Sequence, residues 1–284
     1  MVEIGTAGSP WRAAAVAAGA ALVAESEGAH AFWYPDGTVD SGGLSGSEWR
    51  AAAGSLARIV PDPGDLADPI VSAVVASMVA RRMRIGVLGW NPGTDATRAA
   101  RTVATLADVA PGRTILACAA AAEVLAGLAK VVRDDLDVEL AVYGDRPGPA
   151  GDLGWGWVGV GHDPEGLIRT AHDAGVTGSI GIHLRVVAHA DESVARRALD
   201  APLLQAMDLR AERAGVVVGP PAAIDTAMDE YVAAGATRIV LDNLLALGAP
   251  DQLEAAQAAL RGSIRRARLR HRTASDVADP GRSR

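Results

Sequence analysis

Short apolar runs alternate along this chain with segments whose apolar residues recur every three or four positions, the pattern of β-strands alternating with amphipathic α-helices. The clearest unit spans residues 82–118. Residues 83–88 are an apolar run that ends at Gly89-Trp90-Asn91-Pro92, and residues 114–118 are a second run. Between them Ala99, Val103, Leu106 and Val109 share one helical face; Thr94 and Asp95 can cap its start, and Pro111-Gly112 ends it. This is a β-α-β unit, which places both runs in a parallel sheet.

The remaining elements read in the same way. Residues 2–5 predict a first strand, and Ser9-Pro10 opens a helix that Gly28 stops. Residues 30–34 predict a second strand, ending at Pro35-Asp36-Gly37. A glycine-, serine- and proline-rich connection, 37–64, surrounds one helical piece, and 65–82 predict the next helix. A helix over 119–134 and a strand over 137–143 follow, then a turn-rich stretch to 153 with no helical period. A strand at 155–160, a helix capped by Asp163, a strand at 179–189 and a helix over 191–214, broken near Pro202, come next. Gly219-Pro220-Pro221 opens a helix that Gly235 stops, residues 237–241 predict a last strand ending at Asp242-Asn243, and a helix from 251 to about 270 closes the count. Eight strands, nearly all followed by helices, predict an α/β protein of the (βα)8 TIM-barrel class, with a shortened or missing helix after strand five. The barrel is expected over 1–262, with a basic, disordered tail over 263–284.

Composition sharpens this picture. With 49% apolar and 21% charged residues the 284-residue chain can fill one barrel core. Aromatics are 4% and alanine is abundant, so helices should pack closely. A net charge of -7 argues against nucleic acid as the main partner, because phosphate binding needs a concentrated basic surface. The single cysteine, Cys118, excludes an internal disulfide, and its alanine neighbours favour an inert, buried thiol. The apolar run 13–24 is shorter than the ~20 residues a bilayer requires. Ala29-His30-Ala31 mimics a signal cleavage site, but Glu3, Glu25 and Glu27 suit the first barrel helix better than a leader. A cytoplasmic protein with no membrane partner is expected.

Several stretches resemble the luciferase-like superfamily: Asn91-Pro92, Ala100-Arg101, residues 104–107, Ala110-Pro111-Gly112-Arg113, Asp68-Pro69, Trp33 with Asp36, and the closing unit 219–241. The resemblance implies a (βα)8-barrel oxidoreductase that uses FMN or coenzyme F-420 for hydride transfer or monooxygenation of a small-molecule substrate, commonly as a homodimer. The chain departs from the family pattern at Gly37, where a histidine is usual, and at Ala119-Ala120-Ala121-Ala122, where glycines are usual. It also lacks the usual insertion after strand four. These departures motivate an alternative, a degenerate barrel acting as a non-catalytic subunit or binding protein. An unrelated barrel enzyme such as an aldolase would need a lysine or carboxylate pair at strand ends, where Asp36 and Asp242 are the candidates.

Function in such barrels gathers at the C-terminal ends of the strands, here Asp36, Trp90, Asn91, Cys118, Tyr143, Gly144, Gly161, His162, His189, Asp242 and Asn243. The resemblance assigns ring support, through a non-prolyl cis peptide, to Gly89-Trp90. It assigns the cofactor phosphate to Tyr143-Gly144 and Gly161-His162, beside the helix that starts at Asp163. Asp36 and Glu123 are the carboxylates it offers for catalysis. On strand seven His183, Arg185 and His189 share the barrel-facing parity, and His189, nearest the strand end, is the candidate for proton transfer. The two histidines lie about 20 Å apart along a strand, too far to share a metal. Residues 154–159 satisfy G-x-G-x-x-G, but inside a strand and not between strand and helix, so no dinucleotide fingerprint is read there.

Overall fold

Each expected apolar run forms a strand, and every pairing is parallel. The computed structural model describes residues 2–7, 14–36, 46–53, 68–132, 136–206, 216–245 and 249–278. Strands β1 (Glu3–Ala7), β2 (Ala31–Pro35), β3 (Arg84–Trp90), β4 (Thr114–Cys118), β5 (Val138–Gly144), β6 (Gly156–Val160) and β7 (Ile180–Ala188) neighbour one another in chain order. β9 (Arg238–Asn243) joins β7 back to β1 and closes an eight-stranded ring. A ninth strand, β8 (Val217–Gly219), was not expected from its sequence. It pairs with β7 at Val186–Ala188, where the pairing with β9 runs out.

The helices are α1 (Ala14–Ser26), α2 (Gly46–Ala53), α3 (Pro69–Val79), α4 (Ala96–Val109), α5 (Ala122–Val131), α6 (Ala150–Leu153), α7 (Pro164–Asp173), α8 (Glu192–Leu199), α9 (Pro202–Ala206), α10 (Pro221–Ala234) and α11 (Leu253–Ala278). The start expected at Ser9-Pro10, and most of the 37–64 connection, lie outside the described residues. After strand five the helix is one turn, α6, and the strand alternation continues around it. Gly151 allows that turn to press on the end of α7, since a Cβ there would overlap the carbonyl of Ala174. Of the helix expected over 191–214, the part up to 206 is two short helices, α8 and α9, separated before Pro202, and the rest lies outside the described residues.

The last helix corrects a boundary. The tail expected from 263 begins inside α11, whose Ile264 and Ala267 are buried. Its arginines are used locally: Arg266 pairs with Asp225 at 2.5 Å, Arg265 with Glu27, and Arg268 donates to the Gly28 carbonyl at 3.0 Å. A basic run therefore docks onto Glu27, just after α1, and onto Asp225 and Asp229 of α10. No helix among the described residues is long and apolar enough to cross a membrane.

Alternation divides the strands' side chains between two cores. Outward residues such as Ile85, Val87, Leu116, Ile182, Leu184, Ile239 and Leu241 pack with Val103, Leu106, Leu125, Ile168, Ile224 and Met228 of the helices. Inward residues Ala31, Trp33, Leu88, Ile115, Ala117, Ala141, Tyr143, Val158 and Val240 form the barrel interior. Trp33 is fully buried there. It spans the interior because β1 and β3 carry glycines on either side: a Cβ on Gly86 would overlap its six-membered ring, and one on Gly5 would stand 2.7 Å from its Nε1.

Beneath Trp33, the N-terminal end of the barrel is plugged by two carboxylates and two guanidinium groups. Glu3 Oε2 accepts from Arg84 at 3.0 Å and from Arg238 at 2.8 Å. Glu139 accepts from Arg84 at 2.6 Å and from Arg238 at 2.7 and 2.9 Å. The Arg238 guanidinium, 3% exposed, also lies 5.6 Å from the centroid of the Trp33 ring, within cation–π range. The charges sum to zero and each stands against its opposite, as burial demands.

Candidate functional site at the barrel mouth

At the C-terminal end, β3 departs from regular pairing. Gly89 adopts φ 75, and the register with β4 shifts between Leu88 and Trp90, so that Trp90 pairs with Cys118. Glycine suits this left-handed bulge because it has no Cβ to clash. The peptide bonds of the described residues are all trans. The cis bond implied at Gly89-Trp90 is therefore absent, and the chain is redirected there by the glycine's φ instead. Trp90 is 8% exposed, and its carbonyl accepts from the Ala119 amide at 2.9 Å. This bond fixes the first residue of the alanine run against the bulge.

The polar chemistry lies on the opposite wall. Tyr143 ends β5, and its hydroxyl stands 2.9 Å from Nδ1 of His183. Nε2 of His183 stands 3.3 Å from Oδ2 of Asp242, on β9. His183 is 1% exposed, Asp242 5% and Tyr143 9%. Arg185, two residues along β7 and half-buried, is in register with Asp242. Burial, with the positive charge of Arg185, holds the His183 pKa below the ordinary histidine value and outweighs the opposing effect of Asp242. Half-buried Ala7, Ala119 and Val160 pack against the interior cluster that includes Tyr143.

The expected site residues fall into two groups. Tyr143 is in this cluster, and Gly89 and Trp90 form the facing bulge. Asp36 follows β2, with its amide donating to the Leu88 carbonyl at 2.8 Å and its side chain half-buried. Gly144 offers its carbonyl to Trp157 Nε1 at 3.1 Å, and Gly161 offers its own to the Tyr231 hydroxyl at 2.6 Å. His162 and Glu123 are exposed. His189 lies past the end of β7, where its Nδ1 accepts from the Asp191 amide at 3.0 Å. That ring holds its own turn, and the histidine inside the barrel is His183. Strand parity identified His183 in the sequence; choosing the residue nearest the strand end directed attention to His189.

The start of α7, expected to face a phosphate, is occupied by its own cap. Asp163 accepts from the Gly166 amide at 3.0 Å and so presents a carboxylate where an anion would bind. Asp191 caps α8 through Ser193 in the same way at 2.8 Å. The G-x-G-x-x-G segment is structural: Gly154 closes α6 in a left-handed conformation, and a Cβ on Gly159 would stand 2.6 Å from the Trp157 ring. No group of three or more His, Cys, Asp or Glu among the described residues could hold a metal ion.

Cys118 faces the outer core, and burial pushes its thiol pKa up to about 12. It is expected to resist iodoacetamide at pH 8 in the folded protein and to react once unfolded, with ~10³-fold less thiolate than an ordinary cysteine. Mass spectrometry of the intact chain reads this directly; rapid labelling of the folded protein would contradict the buried placement.

The chain is a closed all-parallel (βα)8 barrel with its polar cluster at the C-terminal mouth. The sequence matches no protein-family model and no curated protein. Solved structures do share the fold. An F-420-dependent secondary alcohol dehydrogenase, solved with an F-420–acetone adduct, superposes with a TM-score of 0.63 at 16% identity, over 91% of this chain and 99% of its own. The coenzyme F-420 dependent tetrahydromethanopterin reductase of Methanopyrus kandleri gives 0.60 at 14% identity, over 85% and 93%. A type II Baeyer–Villiger monooxygenase of Pseudomonas putida, the oxygenating constituent of 3,6-diketocamphane monooxygenase in complex with FMN, gives 0.59 at 14% identity, over 93% and 96%. The likeness is one of fold.

Proposed function

We propose that the protein is a flavin- or deazaflavin-dependent oxidoreductase acting on a small organic substrate at the barrel mouth. The observation that carries this reading is the polar cluster at the C-terminal strand ends, where Tyr143, His183 and Asp242 bond to one another beside half-buried Ala7, Ala119 and Val160 and at the same end of the barrel as the Gly89 bulge. The relatives in fold named above carry F-420 or FMN by their descriptions, which supports the same cofactor class here. The residues present fit a flat ring: small side chains line one wall, and the hydrogen-bond set is neutral at its centre. The backbone at Trp90 and Ala119 would hold the ring, with Tyr143 on its side of the interior and His183 buried behind Tyr143. The bound group would supply hydride acceptance or oxygen activation, while the barrel orients the substrate and limits its access to water. The N-terminus of α7 does not fit the phosphate, because Asp163 closes it.

Fluorescence titration of the purified chain with FMN and, separately, with oxidised coenzyme F-420 is expected to give micromolar binding of one of them. Absence of binding of either up to millimolar concentration would overturn the reading and turn attention to a non-catalytic barrel.

A further inference from the structure

We propose that the outward face of α3, together with the neighbouring face of α1, is a self-association surface, on which a second copy of the chain docks with its α3 antiparallel to the first.

The polarity of α3 is reversed for a barrel helix. At about 100° per residue its positions divide into two opposite halves. The half turned to the barrel holds Ser72, Ala73, Ala76 and Ser77, all buried, and the Ser77 hydroxyl donates back to the Ala73 carbonyl at 2.8 Å. The outward half is Val71, Val74, Val75, Met78 and Val79, of which Val71, Met78 and Val79 are exposed. These five recur at the spacing of an apolar helix stripe, but the stripe points away from the core, where a surface helix carries charge. Residues 69–80 contain no charged side chain. α1 packs along α3 and repeats the arrangement: Ala18, Ala21 and Ala24 are buried, Leu22 and Val23 are exposed, and residues 13–24 are uncharged.

The extent of the face suits one contact between proteins. Leu22, Val23, Val71, Met78 and Val79 are each 44–64% exposed and together present roughly 450 Å² of apolar area. A standard interface buries about 800 Å² per partner, of which about 60% is apolar. The apolar centre of such an interface is therefore already in place.

The charges at the two ends of the face select the occupant. Asp68 caps the start of α3 by accepting from the Ile70 amide at 2.8 Å through Oδ1, and the residue is exposed. Arg81 and Arg82 follow the other end; the Arg82 side chain is exposed, with its Nε 4.0 Å from Glu25. A two-fold axis at Val75 lies seven residues from Asp68 and seven from Arg82. It sets Asp68 of each copy against Arg82 of the partner subunit, Val71 against Val79 of the partner subunit, and Val75 against its own equivalent. A two-fold contact needs a patch that is complementary to itself, and opposite charges at opposite ends provide this. An anionic lipid surface would instead require a basic rim, and Glu25 and Asp68 stand in this one.

Light scattering of the full chain at about 1–100 μM is expected to give twice the 29.0 kDa chain mass, with a micromolar dissociation constant. M78E on α3 and V23E on α1 each place a charge at an exposed position, so the far-UV circular dichroism should be unchanged while the dimer weakens by about 10²-fold or more. Cross-linking reads the register, and buried Cys118 gives no background. V75C is expected to form an intermolecular disulfide on mild oxidation. V71C should not link to itself, because the two copies of this position lie about 12 Å apart in an antiparallel pair, but it should link when mixed with V79C. A monomeric parent chain at 100 μM, or a dimer that both M78E and V23E leave intact, would overturn the surface. Self-linking of V71C, or failure of V75C to link in a dimeric sample, would overturn the antiparallel docking. A monomer that floats with vesicles of phosphatidylcholine and phosphatidylglycerol, and sinks as M78E, would give the face to a lipid surface and overturn the second copy as its occupant.

Discussion

Replacing Glu139 with alanine is expected to lower the free energy of unfolding by about 2–4 kcal/mol, less than the ~3–5 kcal/mol for breaking a fully buried ion pair from one side, because Glu139 is half-buried. Arg238 would keep Glu3 and Ser179 but lose two of its four bonds at a guanidinium 3% exposed, and Arg84 would lose its 2.6 Å partner. Urea denaturation followed by circular dichroism measures the loss. Glu192→Ala, which removes an exposed pair with Arg196, should by contrast cost under about 0.5 kcal/mol. A Glu139→Ala loss below about 1 kcal/mol would mean that water replaces the carboxylate and that the plug is not dry. The same carboxylate makes an acid-stability prediction. Burial would raise its pKa, but hydrogen bonds and charge from Arg238, with help from Ser179 and Arg84, hold it at about 2. A depressed folded-state value means that the group stabilises the fold above its ordinary pKa, near 4.5. This contribution, roughly 3 kcal/mol, is lost as pH falls from 4.5 towards 2. Glu139→Gln should flatten that part of the stability–pH curve.

Trp33→Ala should be comparably damaging, by about 3–5 kcal/mol, because the barrel interior cannot collapse around the void. The closed hydrogen-bonded ring fixes the wall positions, and the neighbouring strands offer glycines, Gly5 and Gly86, with no side chains to move inward. Arg238 would also lose its aromatic neighbour. Trp33→Phe should retain most of the stability, because the indole N–H makes no hydrogen bond among the described residues and its removal leaves none broken. A large Phe effect with a small Ala effect would place the tryptophan outside the packed interior.

The architecture was legible because strand and helix periods differ so clearly. The run 114–118 became β4 with the same bounds, and Asp163, Gly175 and Gly235 marked helix ends that the chain adopts. What local pattern could not show is what depends on partners distant in sequence. β8 has three residues and becomes a strand only because β7 extends beyond its pairing with β9. Residues 263–278 look like a solvated basic tail until Glu27, Asp225 and Asp229 are placed beside them. The candidate site was half visible: strand ends gave Tyr143 and Asp242, and parity placed His183 in the barrel. The convergence of these three on one imidazole depends on the shear of the closed ring, which brings residues 40 and 59 positions from His183 within hydrogen-bonding distance.

The fully buried Trp33 layer, resting on the ionic plug, also gives the barrel one open end. Below the level of His183, which is in register with Val240, lie the apolar side chains of Trp33 and Val158, and below these the Glu3, Arg84, Glu139 and Arg238 pairs. The interior is therefore closed from the N-terminal side, and whatever enters it does so from the C-terminal ends of the strands. The two ends of the barrel answer to different assays: substitutions in the plug are read in stability, and substitutions around Tyr143 and His183 in binding.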